Sequence, residues 1–473
     1  MKKVTLSQDE NLSFKISHQL QPQEYQHLDL YFSLPDDMGI STRTLSEEDY
    51  FYSSIKSYSA YYSEQVHLPL VRSRFISQKQ GEQSDYRSNL NLFSHQFRSA
   101  LDTDVKQALK ITDSSEFYPV VSEFAEQTQG LLKKLRRYTP SDEKLSSYFV
   151  NVDNFLSWYT EQAFLNLLTN GPKSSEYSET REALVAFCKD ECQYRINNQY
   201  NSKVTLDDPN RITNKMRLLQ RLSEIGVVFK RQTNNLNANL KRLVRGSVTA
   251  VIMGFVMTIV LNARLAFTEV SIMLIAFLGL IYGIRETFKD DLTSYLWRKI
   301  QHGRPKWQHI FTNSLTKNKI STQTIWLEYI KKADLPNQVI ELFNKRRRQN
   351  RQSAQLLHFR CDTRVHVKDF MPGFEDIQNQ IFFNLTPFVR YLKKGEGRLY
   401  SLDGGKLSNQ AVERRYQVNL VLVQKNKLNQ EFMQRFKITI NRSKIVNIES
   451  MRATQNFSML VDKPAEKNEE QVD

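Results

Sequence analysis

The sequence predicts an α+β protein: a mainly helical cytoplasmic region with short N-terminal strands, a central two-helix transmembrane hairpin extended by a helical stalk, and a C-terminal antiparallel β meander. Three observations carry that expectation. Apolar and polar residues alternate strictly near both ends of the chain, and apolar residues recur every three or four positions through the middle. Near residue 250 two almost uncharged runs approach the length of a bilayer core.

The composition permits this architecture. With 473 residues, 40% hydrophobic and 25% charged, the chain can bury a core and is not a disordered polymer. Three cysteines exclude a disulfide scaffold and fit a reducing compartment. Net charge is +15, unevenly spread. Residues 1–200 hold 21 Lys and Arg against 27 Asp and Glu; residues 201–473 hold 45 against 24. A basic half attached to an apolar segment points to a membrane before nucleic acid, which is an unlikely partner.

Residues 1–45 are read as strands. Leu12, Phe14 and Ile16 share one face, as do Leu28, Leu30, Phe32 and Leu34, and residues 35–39 (PDDMG) make a turn. A helical region follows over 46–207. Ser46 and Asp49 resemble a capping box, with Phe51, Ile55, Tyr58 and Tyr62 on one helical face. Phe117, Val121, Phe124, Leu131 and Leu135 mark another helix. Thr139 is the expected cap of a third, with Pro140 in its first turn and Gly171-Pro172 as its stop. A fourth runs over about 177–199. The stalk helix is placed over 208–246, because Leu219, Leu222, Gly226, Phe229, Thr233, Leu236, Leu240 and Leu243 alternate spacings of three and four. The same count continues through Ser247, Ala250, Gly254 and Met257, so one seam is expected to run from water into lipid.

The transmembrane hairpin is placed over 247–284. Its first run, Val248–Leu261, carries no charge, and its second, Leu265–Ile284, carries only Glu269. A helix rises about 1.5 Å per residue, so about 20 residues cross the hydrocarbon core. Lys230, Arg231, Lys241, Arg242 and Arg245 precede the first run. Arg285, Lys289, Arg298, Lys299 and Arg304 follow the second, whereas the turn holds only Arg264. The positive-inside rule then puts both termini in the cytoplasm at the inner membrane. No apolar stretch follows Lys2 and Lys3, so insertion is expected to depend on the internal hairpin. Gly246, Ala250 and Gly254 on the first helix, with Gly279 and Gly283 on the second, are candidate packing residues, since small side chains let helix backbones approach in lipid.

Residues 285–355 are read as a helical basic region, with one helix around IWLEYIKK and another from Leu335. Residues 356–455 are read as a β-rich cytoplasmic domain and residues 456–473 as an acidic disordered tail. The N-terminal strands and the meander could share one domain or form two.

No catalytic constellation emerges. Gly404-Gly405-Lys406 lacks the spacing of a phosphate loop and reads as a turn. Cys188 and Cys192 lie one helical turn apart without further metal ligands. His358, Cys361, Asp362 and His366 fall close together, but Cys361 points away from Asp362 on a strand. Neither group predicts a metal or cofactor. The densest basic run, Lys345, Arg346, Arg347 and Arg348 with Arg351, is a candidate contact for anionic headgroups or another polyanion. The expected function is a membrane-anchored binding protein, a scaffold, adaptor or sensor without a catalytic step. Its expected partners are the lipid bilayer, an unidentified protein and a second copy of the chain. The alternative is an oligomerising effector that permeabilises the bilayer on a cytoplasmic trigger.

Overall fold

The computed structural model describes residues 4–62, 83–137, 139–266, 272–344, 354–370, 374–390, 392, 396–403, 406–427, 430–451 and 454–456. They hold eleven α-helices and fifteen strands, a mixed α+β architecture with antiparallel sheets.

The chain opens on β1 (Thr5–Gln8), β2 (Ser13–Leu20) and β3 (Tyr25–Pro35), where the alternation places them. A single 3₁₀ turn then leads to α1 (Glu47–Ser54). The Ser46 hydroxyl accepts the Asp49 amide at 3.1 Å and donates to the Asp49 carboxylate at 2.6 Å. This helix does not continue through Tyr62. Residues Ile55–Tyr62 form β4, whose Ile55, Ser57, Ser59 and Tyr61 are buried. The spacing Phe51, Ile55, Tyr58, Tyr62 satisfied a helical template by coincidence; pairing of all of Ile55–Tyr62 with β9 (Asp376–Asn384) wins instead.

Next comes a helical bundle: α2 (Gln83–Ala108), α3 (Ser114–Arg136), α4 (Glu143–Asn170), α5 (Ser178–Asn197), the single turn α6 (Lys203–Leu206) and α7 (Pro209–Ser223). The cap of α4 is Asp142, whose carboxylate accepts the Leu145 amide at 2.9 Å, and not Thr139. Asp at this position also complements the helix dipole. Phe93, Phe117, Phe155, Leu156 and Phe164 form the bundle core.

The stalk helix expected over 208–246 is instead three elements. The first, α7, ends at Ser223. Gly226 then takes φ +87°, a left-handed conformation that costs glycine little. Chain residues 230–235 form β5 (Lys230–Asn235), and α8 (Ala238–Ala266) starts afresh beyond it. Helical spacing alone could not register that break, because Phe229 and Thr233 suit a strand equally well.

After α8 come α9 (Ile272–Gln301), β6 (Trp307–Thr312) and β7 (Lys319–Ile330). The helix expected around IWLEYIKK is thus the second half of β7, a stretch rich in the β-branched and aromatic residues that suit a pleated surface. The remaining elements are α10 (Asn337–Asn344), β8 (Ala354–Val365), β9, α11 (Thr386–Val389), β10 (Glu396–Asp403), β11 (Lys406–Glu413), β12 (Tyr416–Asn426), β13 (Glu431–Ile440), β14 (Ile445–Ser450) and β15 (Thr454–Asn456). The meander β12–β13–β14 forms as its alternation predicts.

A large sheet has the order β14-β13-β12-β3-β8-β7-β6-β5, with β15 also on β13. A smaller one has the order β1-β2-β9-β4. The N-terminal β3 lies between β12 and β8, so both ends of the chain share one sheet. The sheets pack face to face through Phe14, Ile16, Ile381 and Phe383 of one and Leu30, Phe32, Phe359 and Leu420 of the other. Phe14 stacks on Phe383 at 5.2 Å, and Phe359 meets the same ring edge-on at 5.0 Å. The bundle is inserted between β4 and β5, and the pair α8–α9 between the adjacent strands β5 and β6.

Candidate functional site

The most unusual surface of the molecule is the helix pair α8–α9. The helices pack on each other, with Lys241 near the start of α8 lying 5.8 Å over the Trp297 ring near the end of α9. The buried line on α8 is Val244, Val248, Val256 and Ala263. The seam expected through Leu243 and Met257 is therefore displaced by one residue; these two side chains are exposed, at 65% and 55%. Val244, Val248 and Val256 turn inward, and most other apolar side chains of the pair turn outward. Val251, Phe255, Ile272, Ile275 and Leu280 are all more than 60% exposed.

Among the described residues one helix is long and apolar enough to cross a membrane: Ala238–Ala263, with a mean hydropathy of 1.9 over its best window. Helix α9 does not meet that test. Its described apolar stretch ends at Ile284, where Arg285 and Glu286 begin a charged half, and it spans about 20 Å of the roughly 30 Å required. Two spans were expected and one is found; the turn expected at Arg264 is helical, because α8 runs to Ala266, and residues 267–271 with Glu269 lie outside the described residues.

A Cβ added to Gly246, Gly254, Gly279 or Gly283 would meet nothing within 4 Å. These glycines do not line the contact between α8 and α9, and Ala250 is exposed beside them. The basic run, Lys345, Arg346, Arg347, Arg348 and Arg351, lies outside the described residues.

The sequence-singled cysteines and histidines separate. Cys188 is buried in the bundle, and burial, with Glu161 and Glu191 nearby, pushes its thiol up to about 12. Cys361 is 1% exposed in the sandwich core, its thiol likewise pushed up by burial to about 12. Neither is a thiolate at neutral pH. His366 bonds Thr322 at 2.8 Å, away from His358. No group of His, Cys, Asp and Glu among the described residues is arranged to hold a metal.

Two polar arrangements escaped the sequence argument, because each is assembled across strands. The first lies on the face of the large sheet turned away from the sandwich core. His27 on β3 lies between two carboxylates, Asp362 at 2.5 Å from Nδ1 and Asp29 at 2.6 Å from Nε2. His358 approaches the other oxygen of Asp29 at 2.8 Å and stacks on Tyr31 at 4.4 Å. Arg360 donates to Asp362 at 3.0 Å and covers the Trp326 ring. Burial opposes charge on His27, but hydrogen bonds and attraction from Asp29 and Asp362 outweigh it and raise its pKa to about 9. Both ring nitrogens are engaged and the ring is cationic at neutral pH, so it clamps β3 to β8 and cannot serve as a general base.

The second arrangement lies inside the sandwich. On the small sheet His18, Asn379 and Ser59 sit side by side in register. On the large sheet Gln26, Thr363, Gln323 and His309 do the same. Each residue is at most 3% exposed. In both sheets the row falls where the main apolar core gives way to a second cluster around Leu20, Phe311 and Ile377. Both ring nitrogens of His18, both amide atoms of Asn379 and the Ser59 hydroxyl have no hydrogen-bond partner among the described residues. Burial pulls His18 down to about 4; burial and the Arg231 charge do the same to His309. These rings are neutral, and each sheet carries its polar row without a charge.

No protein-family model matches the chain, and no curated protein or solved structure matches it.

Proposed function

We propose that the chain is a membrane-anchored binding protein without catalytic activity, a scaffold, adaptor or sensor. In this reading α8–α9 dips into the inner membrane as a two-span hairpin, and the sandwich and bundle stay on its cytoplasmic side with both termini. A contrast of burial supports it most. Phe14, Phe32, Phe93, Phe164 and Phe359 are fully buried in the sandwich and bundle, whereas Phe255 is 71% and Ile272 87% exposed on the hairpin. Exposed apolar surface of that extent calls for an apolar neighbour. The cations flanking both helices support the orientation.

Carbonate extraction of cells expressing the full chain tests the anchor. The wild type should remain in the membrane pellet. Val251→Asp with Phe255→Asp should move it to the supernatant or into aggregates, because each acidic residue at mid-span costs about 2.5–3.5 kcal/mol. Wild-type protein in the carbonate supernatant would sink the proposal.

The open space around Gly246, Gly254, Gly279 and Gly283 supports a second reading, in which copies pair through these faces as an oligomerising effector that permeabilises the bilayer. Cross-linking in membranes should then yield dimers or larger species that Gly254→Ile and Gly279→Ile weaken. A wild type that stays monomeric removes this reading and leaves the anchor in place.

A further inference from the structure

Strands β10 and β11 form a two-stranded sheet of their own, paired from Glu396 and Glu413 to Asp403 and Lys406 and joined to neither larger sheet. Leu399, Tyr400, Leu402 and Val412 on it are 56%, 68%, 69% and 46% exposed. Strand alternation sends Tyr400 and Leu402 to one face. Leu399 goes to the other with Val412, which lies opposite Gly397. Apolar side chains therefore leave both faces. A lone hairpin is marginal in water, and one that is apolar on both faces calls for an apolar medium around it.

Its place in the fold says which medium. Lys306, at the root of α8–α9, is held by Glu47 of α1. Tyr50 of the same short helix stacks on Phe388 of α11 at 4.7 Å, and residues 390–395 lead from α11 to β10. On the return side Glu413 accepts Asn441 Nδ2 at 2.7 Å, and Arg414 reaches Asp37 at 3.8 Å. These contacts fix the base of the β-hairpin to the end of the sandwich at which β5 gives way to α8. The charges agree. Residues 393–415 hold six Lys and Arg against three Asp and Glu. Arg398, Arg415, Arg442 and Lys444 are exposed on the hairpin and around its base. Cations beside exposed Leu and Tyr suit the layer where anionic headgroups meet acyl chains.

We propose that the β10–β11 hairpin is a second membrane contact. Leu399, Tyr400 and Leu402 enter the interfacial layer of the bilayer that holds α8–α9, and Arg415, Arg442 and Lys444 meet anionic phospholipid headgroups at the base. The contact is shallow, because the outer edges of a two-stranded sheet carry unpaired amides and carbonyls that hydrocarbon cannot satisfy. The proposal rests on the membrane reading given above.

The test uses the full-length chain in vesicles of phosphatidylglycerol and phosphatidylcholine. In a Cys192→Ser background, where the remaining Cys188 and Cys361 are buried, an environment-sensitive dye is attached in turn through Leu402→Cys, Phe255→Cys on α8 and Lys319→Cys at the opposite end of the large sheet. Spin-labelled lipids then report depth. The dye at 402 should be quenched more by a label near the headgroup than by one deep in the acyl chain. At 255 the order should reverse, and at 319 neither label should quench. Arg415→Gln with Lys444→Gln should lower the docked-to-undocked ratio at 402 by about fivefold per charge at low salt, and raised salt should erase the difference. Quenching at 255 without quenching at 402 overturns the second contact and spares the anchor. Quenching at 402 alone supports the contact and removes the anchor. Quenching at 402 that ignores both charge removals at low salt overturns the headgroup contact. A blue shift at 402 that no lipid label quenches, and that grows with protein density, assigns the hairpin to a second copy and overturns the proposal.

Discussion

Individual histidines give this molecule two opposed pH dependences. His18 and His309 are buried and His95 is half-buried; all three are neutral, each held near pKa 4, against an ordinary value near 6.5. Between those values the unfolded chain binds more protons than the folded one, so stability falls as pH drops from 6.5 toward 4. His27 behaves oppositely. Its folded pKa is about 9, so the stability it adds is complete below 6.5 and is lost as pH rises through 9. Each shift corresponds to on the order of 3 kcal/mol. Urea titrations at pH 5, 6.5 and 8.5 should therefore place maximum stability near 6.5. His27→Gln should lower stability at pH 6.5 more than at 8.5, and His18→Leu should flatten the acid limb. A His27→Gln effect equal at both pH values would contradict the clamp. None of these environments was legible in the sequence. His358 and Asp362 lie close along the chain, while the groups that decide their chemistry, His27 and Asp29, lie more than three hundred residues away in sequence.

At the level of elements, the sequence located alternating strands and amphipathic helices well wherever one period dominated, as in β2, β3, α3 and the β12–β14 meander. It failed where a short stretch satisfied both periods. Ile55–Tyr62 and Lys230–Asn235 became strands because neighbouring strands offered complete backbone pairing, which no local pattern reveals. The broken stalk has a checkable cause. Gly226 sits at φ +87°, and a Cβ there would come within 2.4 Å of the Leu315 side chain. Gly226→Ala should destabilise the protein by about 1–3 kcal/mol in urea unfolding, from backbone strain and the clash combined. Gly254→Ala, in open space on a helix, should be neutral or slightly stabilising. Equal effects at the two glycines would show that the left-handed turn is not what ends α7. Within the bundle Arg136 bridges Asp153 at 3.0 Å and Glu191 at 2.7 Å, fixing α3 against α4 and α5.

On the scale of the whole molecule the chain is a sandwich with two insertions. The hairpin leaves and re-enters the large sheet at one hydrogen-bonded pair: Asn235 lies opposite Trp307, and the Leu236 amide donates to the Lys306 carbonyl at 3.0 Å. Replacing residues 237–305 by Asn-Gly should join β5 to β6 through a tight turn. The shortened chain should stay in solution and keep the urea midpoint of its sandwich. Aggregation or loss of cooperative unfolding would mean that the hairpin is part of the core. This modularity could not be read along the sequence, where the hairpin seemed continuous with the elements on either side.

The position of β5 at the outer end of the large sheet has a consequence for neighbouring copies. A terminal strand offers an open row of amides and carbonyls to any other strand nearby. Confinement to a plane, as a bilayer anchor would impose, raises the chance that two such rows meet. On β5 the residues Lys230, Arg231, Gln232 and Thr233 are all exposed and polar, two of them cationic. Like charges on approaching rims repel and stay hydrated, so lateral crowding does not zip one sheet onto the next.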